Sequence, residues 1–215
     1  MRLAVFDCDG TLVDGQAAVC NAMDVAFAEV GLALPDRHFV RRAVGLSLPQ
    51  AIGLLLPDAD DALRAAVDAA YRSAFRQSRE SGALIEPLYD GIAGMLSALH
   101  ANGWMLGVAT GKSDRGLGHC LATHGLTQLF TTLQTADRHP SKPHPAMLEA
   151  AMDEALALPA NTVMIGDTQY DMAMARVAGV RAIGVDWGYH APDELLAAGA
   201  QAVARDPAHL LELLS

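Results

Sequence analysis

The chain is short of the residues that commit a protein to several large functional classes. Among its 215 residues stand three cysteines, Cys8, Cys20 and Cys120, at spacings that fit neither a disulfide framework nor a zinc site. They read as reduced thiols of a cytoplasmic protein. Positive charge is scarce: 15 Lys and Arg against 25 Asp and Glu give a formal net charge of −10. With no Lys/Arg run, that balance speaks against a nucleic-acid partner, whose affinity rests on clustered cations. Long apolar runs are missing too. Stretches such as Trp104 to Ala109 stop well short of the ~18 residues of a membrane span. At the start, Asp7 and Asp9 break the apolar run after four residues, where an exported leader needs about 7 to 15. No membrane partner is expected, and there is neither an internal repeat nor a low-complexity tract. What remains is a globular chain, 52% hydrophobic and 19% charged, with room for one or two domains at roughly 150 residues each.

Two textures alternate along it. Short apolar runs that end abruptly in polar residues occur at Leu3–Phe6, Met105–Ala109, Thr162–Ile165 and Ala182–Val185, with weaker ones at Phe130–Leu133 and Ala202–Ala204. Between most of them lie stretches of helical periodicity: Gly91–Ala101, Asp114–His124, Pro145–Leu156, Tyr170–Val177 and Pro192–Ala198. Strand then helix, repeated, predicts an α/β fold with a doubly wound parallel sheet, because parallel neighbours need helical crossovers. Residues 14–84 break the rhythm. They hold no convincing strand but four helical patterns, Gln16–Val30, Asp36–Ala43, Leu48–Leu55 and Asp60–Ser78, punctuated by Pro35, Pro49 and Pro57. The block reads as an inserted helical domain, and residues 1–13 with 85–215 as the core that carries it. Its ends should lie close together, since it leaves and rejoins one core.

In an open parallel sheet, ligands bind beyond the carboxyl ends of the strands. The first strand ends in Asp7-Cys8-Asp9-Gly10-Thr11, the second in Thr110-Gly111-Lys112, and the fourth in Gly166-Asp167-Thr168-Gln169-Tyr170-Asp171, while Lys142 sits in a Pro-flanked stretch. A lone Asp after a strand ordinarily caps a helix or forms a turn, and a lone Lys before Pro143 is ordinarily solvated. The conjunction changes that. Asp7, Asp9, Asp167 and Asp171 converge on one edge, and four carboxylates need compensating positive charge beyond the single Lys142. A hard divalent cation with oxygen ligands fits, and Mg²⁺ is the usual partner of one or two carboxylates plus a phosphate. Backbone N–H groups after Thr110, beginning at Gly111, would offer partial positive charge to a phosphate at a helix N-terminus.

Asp-x-Asp-Gly-Thr, a strand-terminal Thr, a distant Lys and Gly-Asp-Thr-x-x-Asp together resemble the four motifs of the haloacid dehalogenase-like hydrolase superfamily. The spacings agree, with 103 residues from Asp7 to Thr110 and 25 from Lys142 to Asp167. A helical cap after the first motif further resembles the subgroup that includes phosphoglycolate phosphatases, β-phosphoglucomutases and phosphonoacetaldehyde hydrolases. The resemblance implies a Rossmann-like core with a helical cap and a Mg²⁺-dependent phosphatase acting on a small phosphorylated metabolite. It implies Asp7 as the nucleophile that forms an aspartyl-phosphate, and Asp9 as general acid and then base, its backbone carbonyl also a metal ligand. Asp167 would complete the metal site with Asp7, supported by Asp171. Thr110 and Lys142 would hold the transferring oxygens, Lys142 also neutralising Asp7.

Within that family, Asp9 favours phosphoryl transfer, since dehalogenases lack this acid. Residues 14–84 contain no lysine, which argues against the Schiff base of phosphonate hydrolases. A phosphosugar mutase or a pyrophosphatase stays open beside the phosphoglycolate-like reading. A phospho-accepting receiver domain combines similar residues but accepts phosphate on a mid-chain strand and has no such insertion. Cys8 should point away from its acidic neighbours by strand alternation and act in packing. His119, His124, His139 and His144 share no metal-ligand spacing. In the insertion, Gly45-Leu46-Ser47 and the pair Arg41 and Arg42 resemble the region near the substrate, with the arginines expected to bind it. Oligomeric state has no signature here.

Overall fold

The computed structural model describes all 215 residues. In chain order it contains β1 (Arg2–Phe6), α1 (Gln16–Glu29), α2 (Arg37–Arg42), α3 (Leu48–Leu55), α4 (Asp61–Glu80), α5 (Ile92–Ala101), β2 (Trp104–Thr110), α6 (Asp114–Thr123), β3 (Phe130–Thr135), α7 (Ala146–Glu154), β4 (Thr162–Gly166), α8 (Gln169–Val177), β5 (Arg181–Val185), α9 (Pro192–Ala198), β6 (Ala202–Ala204) and α10 (Pro207–Leu213). No helix is long and apolar enough to cross a membrane. All six expected strands are present. The last helix, α10, is the element the pattern did not announce, although Asp206 caps it and Pro207 opens it.

The strands form one parallel sheet in the order β3-β2-β1-β4-β5-β6. Successive side chains of β1 alternate between two apolar layers. Ala4 and Phe6 pack with Leu96, Leu106 and Val108 on one face, Leu3 and Val5 with Met147 and Met164 on the other. Such double-sided burial is why the strands read as continuous apolar runs. Strand order reverses at β1, and the crevice at such a switch point is where doubly wound sheets bind ligands. Phe6 pairs with Val108 on one side and Ile165 on the other, so β1, β2 and β4 leave the sheet at one level.

Helices α1 to α4 build a separate apolar cluster from Cys20, Met23, Phe27, Val40, Ile52 and Val67. Asp36 and Asp60 cap α2 and α4 through their side chains, an arrangement worth about 1 kcal/mol each. The two connections into this block run side by side: Asp14 N–H donates to the Pro87 carbonyl at 2.8 Å and Tyr89 N–H to the Leu12 carbonyl at 3.1 Å.

Candidate active site

Asp7 is the first residue past β1 and continues its ladder, its N–H donating to the Ile165 carbonyl at 2.9 Å. Its side chain is buried. Oδ1 accepts the Cys8 N–H at 2.6 Å and lies 3.0 Å from Lys142 Nζ, while Oδ2 has no hydrogen-bond partner. Burial pushes the carboxyl up to about 7; Lys142 resists the rise, and Asp171 and Asp9 add to it. Cys8 turns the other way and packs in the core, its Sγ 3.8 Å from that of Cys120.

Lys142 is fully buried, held between Asp7 Oδ1 and Asp171 Oδ1 at 3.0 and 2.6 Å. Burial works against its charge, but Asp171 and Asp7 outweigh that and raise the ammonium pKa. Asp171 is the third residue of α8 and completes a capping box there. Its Oδ2 accepts from the Thr168 N–H and hydroxyl at 3.0 and 2.7 Å. Both of its oxygens are thus engaged, which suits an anchor for Lys142 better than a direct metal ligand. Asp167 is held just as firmly: Thr11 Oγ1 donates to Oδ1 at 2.9 Å and the Tyr189 N–H to Oδ2 at 3.0 Å. Gly10 stands at φ 83°, and a Cβ there would lie 2.1 Å from Asp167 Oδ2, so only glycine lets this loop close on the acid.

These carboxylates suit a hard cation. Ligand oxygens of Asp7, Asp167 and Asp171 lie within 4.8 Å of one another, all buried. Burial and the other two acids raise the pKa of Asp167 well above the usual range. The Asp9 carbonyl accepts none of the protein's hydrogen bonds. An orphaned Asp7 oxygen, a free carbonyl and an oxygen-only donor set are what a divalent hard cation takes.

Asp9 faces a second cation. Its Oδ1 lies 3.0 Å from Lys112 Nζ, close enough for an ion pair though not aligned as a hydrogen bond. Lys112 also donates to Glu86 Oε1 at 2.5 Å. Burial raises the Asp9 carboxyl, Lys112 opposes that rise, and Glu86 adds to it. The chain has only two lysines, and both stand in this site.

Asp7, Asp9, Thr110 and Gly111 open into one cavity of about 700 Å³ between the sheet edge and the inserted helices. Gly45, Leu46 and Ser47 line it from the insertion. A Cβ at Gly111 would come within 2.3 Å of the Leu46 carbonyl, so the two parts touch there. Arg41 and Arg42 are a correction. Neither lines the cavity. Arg41 is exposed and bonds to the Arg37 carbonyl and Gln16. Arg42 reaches across to Glu194 of α9 at 2.6 Å and holds that carboxyl down at about 2. Its carbonyl accepts from the Tyr170 hydroxyl, and His190 Nε2 lies 3.2 Å away. Arg42 thus clasps insertion to core, Arg41 stays within the insertion, and neither faces the cavity.

Residues 4–185 match the family model of the haloacid dehalogenase-like hydrolases. The chain belongs to that family. Over 203 residues it is 38% identical to the probable phosphatase IndB of Dickeya dadantii, covering 94% of this chain and 88% of that one. Over 219 residues it is 28% identical to the phosphoglycolate phosphatase of Vibrio vulnificus, covering 100% and 96% of the two chains. The crystal structure of a predicted phosphatase from Clostridium acetobutylicum superposes with a TM-score of 0.90 at 25% identity, over 99% of this chain and 97% of that one. This haloacid dehalogenase-like hydrolase is therefore an enzyme similar to the phosphatases of its family.

Sequence reasoning missed four groups in this hydrolase. Glu86 and Lys112 find Asp9 only through the fold, 26 residues separating them from each other. Thr168 had a visible signal, an N-cap three residues before an acid. Tyr189 acts through its backbone N–H, which no side-chain pattern reveals.

Proposed function

We propose that the protein hydrolyses small phosphomonoesters with Mg²⁺, through an aspartyl-phosphate on Asp7. The observation that carries this reading is the placement of Asp7 and Asp9 together in the wall of one cavity, each beside its own lysine. Asp7, Asp167 and the Asp9 carbonyl would hold the Mg²⁺, which supplies positive charge against the phosphoryl oxygens. The Asp7 carboxylate attacks phosphorus as the ester P–O bond breaks, and Asp9 gives its proton to the leaving alkoxide. In the second half, the Asp9 carboxylate takes a proton from water as that water attacks the same phosphorus, freeing phosphate and restoring Asp7. Thr110 and the Gly111 N–H face the transferring oxygens, and Lys142 keeps Asp7 in place.

Residues 14–84 act in this scheme as a cap over the leaving group, excluding water from the phosphoryl site. The substrate is of the phosphoglycolate type, an inference that leans on the phosphoglycolate phosphatases among the relatives. Buried, unpaired cysteines agree with a cytoplasmic enzyme. The test is a phosphometabolite panel with p-nitrophenyl phosphate as generic substrate, with and without chelator, and acid-quench trapping of the phosphoenzyme. Mg²⁺-dependent turnover with label on Asp7 is expected. Undiminished activity in chelator, or a phosphoenzyme that survives in Asp7→Asn, refutes it.

A further inference from the structure

The cavity is larger than its catalytic end requires. About 700 Å³ is the size of a pocket that holds a drug-sized ligand, and a two-carbon phosphate would leave most of it to water. Its far wall is basic in a protein whose net charge is −10. Arg72, Arg76 and Arg79 line it from α4, and Arg115 lines it from α6. From Arg72 to Arg79 the helix rises by about 10 Å, so the three guanidiniums form a row.

Their partners leave this charge largely unspent. Arg72 pairs with Asp68 on its own helix, and Arg115 lies 3.6 Å from Glu80; both are exposed pairs, which contribute little. Arg76 and Arg79 have neither ion pair nor side-chain hydrogen bond. Arg79 is half-buried, and its Nε is a buried donor without an acceptor, a condition that costs free energy unless a ligand relieves it. Outside the catalytic cluster the cavity wall offers one carboxylate, Asp137, whose Oδ2 already accepts the Asp114 N–H at 2.8 Å. Tyr71 and Phe75, tilted against each other with ring centroids 5.1 Å apart, line the cavity from the same helix and supply an apolar ledge for a carbon skeleton.

We infer that Arg76 and Arg79, flanked by Arg72 and Arg115, form a second anion subsite, and that the substrate is a phosphomonoester carrying another anionic group several bonds from the scissile phosphate. This rests on the phosphatase reading above. The planar guanidinium fork grips carboxylate and phosphate alike, so the remote group is one of these two.

Two matched comparisons separate them. 6-Phosphogluconate against glucose 6-phosphate tests a remote carboxylate, and glucose 1,6-bisphosphate against glucose 6-phosphate tests a remote phosphate. The wild type should favour the doubly anionic member of at least one pair by about 10-fold or more in kcat/KM, the effect of one or two charge-assisted hydrogen bonds. In the Arg76→Gln/Arg79→Gln variant that ratio should collapse toward one through KM, while p-nitrophenyl phosphate loses far less. Arg76→Lys/Arg79→Lys should restore part of it. A wild-type ratio near one in both pairs overturns the inference, and so does a ratio the Gln variant leaves unchanged. If no phosphate ester is hydrolysed, p-nitrophenyl phosphate included, the phosphatase reading fails. Calorimetric titration of the same sugar phosphates then decides the subsite, equal binding of matched members counting against it.

Discussion

Asp7 should destabilise the metal-free protein it serves. Its carboxyl is pushed up from 3.8 to about 7, chiefly by burial. A carboxyl whose folded pKa lies above its unfolded value keeps a proton that the unfolded chain has already released. Between about pH 4 and 7 the folded state binds more protons, so stability falls as pH rises through that window. A rise of roughly three units, at about 1.36 kcal/mol each, makes ionised Asp7 cost the fold about 4 kcal/mol above pH 7. For a chain of this length that corresponds to about 10 °C in Tm. Asp7→Asn removes the charge while keeping an oxygen for the Cys8 N–H, and Lys142 retains Asp171. In chelator at pH 8 the variant should therefore be the more stable protein, though inactive. The gap should close toward pH 4, and Mg²⁺ should protect the wild type more at pH 8 than at pH 5, because cation and proton compete for one carboxylate. Thermal melts of both proteins across that range, with chelator and with Mg²⁺, measure all of this. Subtracting the variant's curve cancels the titrating groups remote from Asp7, while Asp167, whose carboxyl Asp7 helps to raise, moves with it. A difference independent of pH, or a variant no more stable at pH 8, would refute the reasoning.

Two further substitutions probe the edges of the site. Lys112→Met leaves Asp9 and Glu86 buried without their cation, so it should destabilise by about 3–5 kcal/mol in urea melts and raise the Asp9 pKa further. The alkaline limb of kcat/KM, where Asp9 must donate a proton, should then move to higher pH. Arg42→Ala removes a half-exposed pair with Glu194 and should cost under about 1 kcal/mol; the kcat/KM ratio between phosphoglycolate and p-nitrophenyl phosphate should stay at its wild-type value.

The sheet was legible because β1, β2, β4 and β5 are apolar on both faces and stop at a polar residue, whereas β3, with Thr131, Thr132 and Gln134, and the three-residue β6 gave only weaker runs. The acidic edge was legible for the same reason, since the stopping residues are the site. What stayed hidden depends on helix rotation and on distant pairing. Arg41 and Arg42 lie close in sequence to the cavity-lining Gly45, but α2 is only six residues long and sequence does not say which side meets the core. Val40 and Ala43 line the cavity, while the arginines between them turn toward Gln16 and Glu194. The arginines of α4 carry the opposite lesson. No motif marks them on this 20-residue helix, and only the position of the helix over the sheet edge puts a strip of it along the cavity. Glu86 follows the insertion by two residues and gains its meaning solely from the side-by-side return of the chain at Asp14 and Pro87.

The two cation types divide the work according to their shapes. An ammonium is a compact point charge that fits between two carboxylates and turns to serve both. Lys142 does so between Asp7 and Asp171, and Lys112 between Asp9 and Glu86. Each lysine holds one acid of the proposed catalytic pair in place by engaging a partner acid beside it. Arginine's fork is suited instead to a ligand that approaches from outside with a planar or tetrahedral anion, which is the situation along α4. In the proposed scheme the chemistry common to every substrate is thus built around lysines on the sheet edge, and the part that distinguishes substrates from arginines, three on the inserted α4 and Arg115 on α6 of the core. Insertion and core meet at the backbone approach of Gly111 to Leu46, at the Ser47 N–H donating to Ser141 Oγ at 2.8 Å and at the Arg42–Glu194 pair, and none of these contacts involves Lys112 or Lys142.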